Sequence, residues 1–173
     1  TMIHAWAPQV EVFPRSAARI DQNGSFISNY IALTKAKQVQ SNPQVMVEAG
    51  GIARLHSIIY AEKDSLYDLG GSVYLNGKGA KGEIISRVVS SGGNIISRGF
   101  LESNAVDTKG HMECSGLLLN DQGYIHSVPE LKANVPNTDM SHEAAVGKIN
   151  DQEIMYLMTR GLDEETATSL IVR

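Results

Sequence analysis

Three neighbouring side chains near the end of the chain have types that could do chemistry together. Ser141, His142 and Glu143 supply a hydroxyl, an imidazole and a carboxylate within the stretch 139–149. Such a set can hold a soft or borderline metal ion or relay a proton. A histidine beside a glutamate at a strand-to-helix junction is, however, more often a satisfied polar corner than a ligand set. The residue types alone leave both interpretations open.

Cysteine usage restricts what a metal site here could contain. Cys114 is the only cysteine, which excludes an internal disulfide framework and any Cys-x-x-Cys metal or redox motif. His111 lies three residues before it, so in a regular strand the two side chains point to opposite faces and cannot share a metal ion. Cys114 shares its face with Gly116 and Leu118, which predicts a buried thiol. A cluster or metal ion must therefore draw on histidine, carboxylates or a partner chain.

Two other catalytic motifs fail on their spacing or are missing. The segment 71–79 resembles a phosphate-binding loop, but five residues instead of four separate Gly71 from Gly77, and Gly79 stands where a magnesium-binding hydroxyl belongs. We interpret this segment as a turn, so the chain itself is not expected to bind ATP. The sequence also lacks the Gly-x-Ser-x-Gly elbow with which serine hydrolase chemistry would begin.

Length, composition and charge limit the possible classes of protein. The 173 residues are 42% hydrophobic, enough for one domain with a core, and no stretch approaches the roughly 20 apolar residues of a membrane span. We therefore expect a soluble, cytoplasmic protein with no membrane partner. The net charge of −4 comes from residues 139–173, while residues 1–138 carry equal numbers of acidic and basic side chains. Without a basic excess, nucleic acid is not expected as a partner.

The elements that must position these residues are short strands. Segments such as 25–31, 44–48 and 54–60 are rich in β-branched and aromatic residues and are separated by glycine, asparagine, aspartate and serine. Two architectures besides a β-solenoid use such strands, namely an antiparallel sandwich and a left-handed hexapeptide helix. The hexapeptide helix is disfavoured because the aliphatic residues show no sustained six-residue period.

An internal repeat favours the solenoid. Glycine pairs at 50–51, 70–71 and 92–93 predict a repeat near twenty residues with a turn in each copy. The tetrapeptide Ile-Ile-Ser-Arg occurs at 84–87 and again at 95–98, which places like strands half a turn of the solenoid apart. The residues expected to stack on the inward face are Ile84, Val88 and Ile96.

The sequence changes period after the strands end. Asn150 and Asp163 each begin a helix pattern with acidic residues in the first turn, and Gly161 ends the first of them. Helices of about ten residues are not stable alone, so they must pack on the body or on a partner. We therefore predict a β-solenoid core domain over 1–149 and a helical docking segment over 150–173.

The last third of the chain resembles the SufB/SufD scaffold proteins of iron-sulfur cluster assembly. Its glycine-punctuated strands look like the right-handed parallel β-helix of that family. The longer N-terminal region of typical members is missing, so the chain could be a piece of a longer protein. The stretches that carry the resemblance, in the family's order, are 110–119, 127–133, 141–149 and 156–167.

The resemblance implies a non-enzymatic scaffold with two kinds of partner. One is a second copy or a SufB/SufD paralogue, which we expect to pair with an exposed sheet edge near 106–135. The other is a SufC-like ABC-type ATPase that binds the C-terminal helices. The cargo implied is a nascent iron-sulfur cluster, held transiently. The residues expected to dock the ATPase are Ile154, Leu157, Met158 and Leu162.

The resemblance also implies roles for the three residues at 141–143. His142 matches the functionally important histidine of the family, and Glu143 matches the acidic position of the SufB branch. Both are therefore candidate cluster or metal ligands. The chain departs from SufB at Gly123, in the loop where SufB carries a cysteine taken to receive sulfur. Two alternatives stay open: a structural adaptor of the ATPase without cluster contact, and a β-helix protein that acts on polysaccharide.

Overall fold

The computed structural model describes residues 9–172, so the first eight residues of the predicted core domain lie outside the described residues. Over this range, thirteen strands precede two short helices. Every ladder between named strands is parallel, which a solenoid requires and an antiparallel sandwich forbids. The predicted β-solenoid with a short helical tail is confirmed.

The strands form two sheets, and each turn of the solenoid, here a rung, visits both. A rung adds one strand to sheet B and either two short strands or one long strand to sheet A, which gives five rungs in the described part. Sheet A contains β1 (Glu11–Val12), β2 (Ala17–Ile20), β4 (Gln38–Ser41), β5 (Gln44–Val47), β7 (Leu66–Leu69), β8 (Ser72–Leu75), β10 (Asn94–Ser103) and β12 (Tyr124–Ala133). Sheet B contains β3 (Ser25–Ala32), β6 (Ile52–Glu62), β9 (Lys81–Ser91), β11 (Lys109–Leu118) and β13 (Asp139–Lys148).

The length of one rung differs from the predicted repeat near twenty residues. In sheet B the register pairs Ser25 with Ile52, Ile52 with Lys81, Lys81 with Lys109 and Lys109 with Asp139, so a rung takes 27 to 30 residues. The predicted period is therefore wrong. The spacing of the glycine pairs is not the rung length, because the pairs lie at different positions within a rung. The pair 50–51 precedes β6, 70–71 divides β7 from β8, and 92–93 divides β9 from β10.

The corner that leads from sheet A to sheet B carries the true repeat. Each rung has one residue there in the left-handed backbone region, which glycine, asparagine and aspartate tolerate best. The backbone N–H groups of these corners bond to the next rung, as from Gly50 to the Lys78 carbonyl at 2.9 Å. The five corner residues are Asn23, Gly50, Gly79, Asp107 and Asn137, with φ of 57°, 65°, 71°, 62° and 58°.

Alternate residues of every strand fill the interior. Ile84 and Val88 are buried, as predicted. The prediction for Ile96 is wrong, because this residue points outward and Ile95 takes the interior position. Both copies of Ile-Ile-Ser-Arg place the first isoleucine and the serine inside, one copy in sheet B and the other in sheet A. Full burial of one such aliphatic side chain stabilises the fold by about 1.5–3 kcal/mol.

The last rung leaves two strand edges free. Within the described chain, β12 pairs only with β10, and β13 pairs only with β11. The predicted edge near 106–135 thus contains β12, whereas β11 lies inside sheet B between β9 and β13. Each free edge offers ten residues of unpaired backbone groups to an added strand.

Two helices follow the last strand. The first, α1 (Asp151–Thr159), begins at Asn150, whose side chain accepts a hydrogen bond from the Gln152 N–H at 2.9 Å. Gly161 follows it with a φ of 95°. The second, α2 (Glu164–Val172), begins after Asp163, whose carboxylate accepts a bond from the Thr166 N–H at 2.7 Å. Neither helix is long and apolar enough to cross a membrane.

Candidate functional site

His142 lies on β13 with its side chain directed into the solenoid. Its neighbour two positions earlier, Met140, packs on the buried core, and alternation along the strand puts His142 on that same face. The register places it beside the buried Met112 of β11. Its Nε2 atom is buried and has no hydrogen-bond partner among the described residues. An orphaned ring nitrogen in the interior is costly unless a ligand or partner occupies it.

The only thiol of the chain lies on the adjacent strand and on the same interior face. Cys114 is buried, as predicted, and its register partner is Ala144, one inward position beyond His142. The Cys114 thiol donates a weak hydrogen bond to the Ser97 hydroxyl across the interior, with an S to O distance of 3.5 Å. The structure therefore brings imidazole, thiol and hydroxyl toward one region inside the last two rungs.

A polar row leads through the interior to Cys114. Ser57 and Ser86 precede it at the equivalent positions of β6 and β9, and their hydroxyl oxygens are 2.9 Å apart. This row divides two apolar clusters, one containing Leu55 and the other Ile59. Polar groups in the middle of a core lower the free energy of unfolding unless they form hydrogen bonds or bind a ligand. The row runs toward the end of the solenoid formed by β12 and β13, here called the open end because no further described strand pairs with them.

Glu143 lies on the opposite face of β13. Because successive side chains of a strand alternate, the carboxylate points outward while the imidazole of His142 points inward. Its register partner is Glu113, which binds the Arg87 guanidinium at 2.5 Å. That hydrogen bond holds the pKa of Glu113 below its usual range. The structure does not bring His142 and Glu143 together as a ligand pair within one chain.

Ser141 also points outward and joins a second histidine. The His111 Nδ1 atom and the Ser141 hydroxyl lie 2.9 Å apart on neighbouring strands. His111 and Cys114 occupy opposite faces of β11, as predicted. The three neighbours of the predicted set thus serve two surfaces, with His142 inside and Ser141 and Glu143 outside.

Position 123 has room only for glycine. Gly123 has a φ of 76°, and a Cβ atom there would lie 2.2 Å from the Gly93 carbonyl oxygen. A cysteine at this position would require the loop between β11 and β12 to move. Thiol chemistry in this chain therefore falls to Cys114, which sequence reasoning assigned to the core. The rung length is the signal that could have related Cys114 to His142. One rung after Cys114 comes Ala144, and His142 is the inward residue just before Ala144 on β13.

No group of three or more histidine, cysteine or carboxylate side chains in the described residues could hold a metal ion by itself. Cys114 and His142 supply two inward groups of metal-binding type, which is fewer than such a group needs within the described residues.

The helical tail shows a different apolar face from the predicted one. The helices pack on each other, and Ile154, Leu157 and Leu162 are half-buried while Ala167 is fully buried. Of the predicted stripe, Met158 is the residue that stays exposed. The exposed apolar side chains of the tail are Met155, Tyr156, Met158 and Leu170.

Comparisons with known proteins agree with one another. A family model described as SUF system FeS cluster assembly, SufBD core domain, matches residues 1–173. An iron-sulfur cluster assembly SufBD family protein of Archaeoglobus fulgidus is 47% identical over 173 residues, which are 100% of this chain and 47% of the relative. A protein of the same description from Methanothermobacter thermautotrophicus is 46% identical over 176 residues, and one from Staphylococcus epidermidis is 27% identical over 178 residues. The chain spans 43% and 38% of those two relatives, so less than half the length of each.

Proposed function

Because the chain belongs to the SufBD family of iron-sulfur cluster assembly proteins, we propose that it is a non-enzymatic scaffold subunit on which nascent clusters are built and then passed on. One observation carries the proposal: an inward imidazole with a buried, unpartnered Nε2 lies on the strand adjacent to that of the chain's only thiol, one inward position away in register. Thiolate and imidazole are both ligands that iron-sulfur clusters use.

The two inward residues act as donors to the cluster as cargo. His142 offers the lone pair of Nε2 when the imidazole is neutral and carries its proton on Nδ1. Cys114 binds as a thiolate, so it releases its proton when iron arrives. The Ser97 hydroxyl, which accepts from the thiol in the structure, can rotate and donate to the thiolate.

The remaining donors come from a second chain in this proposal. The free edges of β12 and β13 suit strand addition by another copy or a SufB/SufD paralogue, which would cover the end of the solenoid at which His142 lies. Glu143 then contributes from the outer face, toward that partner, instead of orienting His142 from the same side.

The tail is the proposed docking site for a SufC-like ABC-type ATPase. Met155 and Met158 lie one helical turn apart on an exposed face, and methionine suits adaptable contact surfaces. The first turns of both helices add the carboxylates of Asp151, Glu153 and Glu164, which favour a partner surface with basic residues around an apolar cleft.

The scaffold role is tested by His142→Ala with His126→Ala as the matched control. His126 is an exposed histidine on the outer face of β12. The full complex with ATPase and sulfur donor is assembled anaerobically, and iron and sulfide are measured per complex. Loss of a ligand should lower cluster loading about tenfold or more in His142→Ala and leave the control unchanged.

Two outcomes of that experiment separate the alternatives. Normal loading in both His142→Ala and Cys114→Ala, with intact assembly, would contradict the scaffold role. It would favour the second candidate, an adaptor of the ATPase that touches no cluster. The observation behind that candidate is the exposed apolar face of the tail, which needs a partner whether or not a cluster is bound.

ATPase docking is tested by Met158→Asp against Leu157→Asp. A carboxylate at the exposed Met158 should abolish ATPase pull-down and leave the melting temperature nearly unchanged. A carboxylate at the half-buried Leu157 should disturb the packing of α1 on α2 and lower the helical circular dichroism signal. Retained pull-down by Met158→Asp would move the docking site away from this face.

A further inference from the structure

A groove of about 310 Å³ lies on the outer face of sheet A, away from the inward site. It follows the line where strands of this sheet are interrupted, at 42–43 between β4 and β5 and at 70–71 between β7 and β8. Gly70 is required there because a Cβ atom would lie 2.5 Å from the Arg98 carbonyl oxygen. The next rungs carry Gly99 and Pro129 as register partners on the same line.

The floor of the groove contains a straight row of side chains. Gln44, Ser72, Phe100 and Glu130 are register partners across four neighbouring strands, from β5 to β12. Four strands spaced about 4.8 Å apart extend over about 14 Å, which matches about four residues of an extended peptide at about 3.3 Å each. The row runs along the solenoid axis, so a linear ligand can contact several rungs at once.

The chemistry at the end of the row favours a cation. Phe100 packs on Tyr74 with ring centroids 5.6 Å apart and an angle of 57° between the ring planes. Glu130, the neighbour of Phe100 in the row, is exposed, and its carboxylate makes no hydrogen bond or ion pair to another described residue. Aromatic rings beside an unpaired carboxylate are the combination that binds a guanidinium or ammonium group.

The one basic residue of the groove is already neutralised. Arg98 binds the Asp68 carboxylate through two hydrogen bonds of 2.5 and 3.1 Å. These bonds raise the pKa of Arg98, and the nearby charge of Glu130 adds to the effect. The groove lining together with Asp68 therefore has a net negative charge that comes from Glu130.

We propose that this groove binds an extended segment of a partner protein through one basic side chain, with arginine preferred. The guanidinium stacks on Phe100 and pairs with Glu130, while the amide of Gln44 and the hydroxyl of Tyr74 bond to the peptide backbone. Arginine is preferred to lysine because its planar group can stack and form two parallel bonds to a carboxylate. This interaction is separate from cluster binding and from ATPase docking.

The test is an NMR titration of the 15N-labelled chain with short peptides. The probes are acetyl-Ala-Arg-Ala-Ala-amide, its lysine and glutamine counterparts, and the oligosaccharide cellotetraose. The arginine peptide should shift the amide signals of residues 72–74, 98–100 and 130, with saturation at about millimolar concentration. The glutamine peptide should bind about tenfold more weakly, because it lacks the charge that Glu130 meets.

Variants of the groove separate this proposal from non-specific attraction. Glu130→Gln should remove the preference for arginine over glutamine, and Phe100→Leu should reduce it while keeping an apolar side chain. Glu62→Gln, which neutralises an exposed glutamate outside the groove, should keep it. Equal binding of the glutamine peptide, binding of cellotetraose at the same amides in preference to the arginine peptide, or absence of shifts at about 10 mM peptide would each overturn the proposal.

Discussion

The middle rungs and the last rung use the same kinds of inward residue, but they bury them to different degrees. Leu101 in β10 is fully buried, whereas its register partner Leu131 in β12 is 41% exposed. Val88 in β9 is 1% exposed, whereas Val146, at the equivalent position of β13, is 44% exposed. The side chains are alike, so the difference comes from the rung that would follow, which the described chain does not have.

This difference explains where chemistry is available in the fold. In the row that contains Ile84 and Met112, the middle rungs place apolar side chains that fill the core. The last rung places His142 in that row, half-buried and with an unpartnered Nε2. A polar residue that would be costly in a middle rung is tolerable at the end, where a ligand or a second chain can reach it.

The largest expected effect is the contrast between Leu101→Ala and Leu131→Ala. Leu101→Ala removes a fully buried side chain and should lower the free energy of unfolding by about 2–5 kcal/mol. Leu131→Ala should lower it by less than about 1 kcal/mol, because much of that side chain is already in water. Urea denaturation at low protein concentration, followed by circular dichroism, measures both.

A concentration series then sharpens the comparison. Wild type and Leu131→Ala are compared at the same protein concentration, which is raised in steps into the range of dimer formation. If a second copy covers the last rung, the loss in free energy of unfolding caused by Leu131→Ala should increase with that concentration. If Leu101→Ala and Leu131→Ala lowered the free energy of unfolding of the monomer equally, the middle rungs and the last rung would not differ in burial.

A smaller effect is expected from Gly123→Ala, compared with Gly147→Ala. Gly123 has a left-handed backbone and packs against the Gly92–Gly93 turn, so an added methyl group should lower the free energy of unfolding by about 1–3 kcal/mol. Gly147, on the exposed face of β13, has open space around its Cβ position, and its change should stay within about 0.5 kcal/mol. Thermal unfolding of the two variants measures the difference, and similar melting temperatures would contradict it.

The smallest expected effect concerns the tail, where the Asp163 side chain caps the N-terminus of α2 and stabilises that helix locally. The Thr166 N–H bonded to Asp163 lowers the pKa of that carboxyl from its ordinary value of 3.8. A depressed carboxyl pKa stabilises the folded form above pH 3.8, and this contribution is lost as the pH falls through the lower, folded value. Helical circular dichroism should therefore decrease slightly below about pH 4, and Asp163→Ala should show no such step.

Some features of the fold could be predicted because they are local. Asn150 and Asp163 cap the two helices through their own side chains, so each signal lies within four residues of sequence. The class of fold could also be predicted, since short β-rich segments between turn residues occur throughout the core. The rung length could not be predicted from Gly70–Gly71, because this pair divides β7 from β8 inside a sheet instead of marking the corner.

The candidate site depends on information that a single stretch of sequence does not contain. Alternation along a strand was sufficient to separate His142 from Glu143, once 139–148 was known to be a strand without a bulge. The proximity of His142 to Cys114 required the register between β11 and β13, which follows from the rung length. For the same reason the pair of Arg98 with Asp68, on strands one rung apart, could not be predicted.

The nearly constant length of a rung has a consequence for how proteins of this architecture can grow. The strands of each rung pair only with strands of the rungs before and after it, so a duplication of about 28 residues adds a module without disturbing the pairing of distant ones. A module inserted among the early rungs would lengthen the molecule and leave the face with His142 at its terminus. A module inserted after β13 would bury that face. Rungs added during evolution should therefore lie upstream of β11, because only there do they keep His142 at the exposed end of the solenoid.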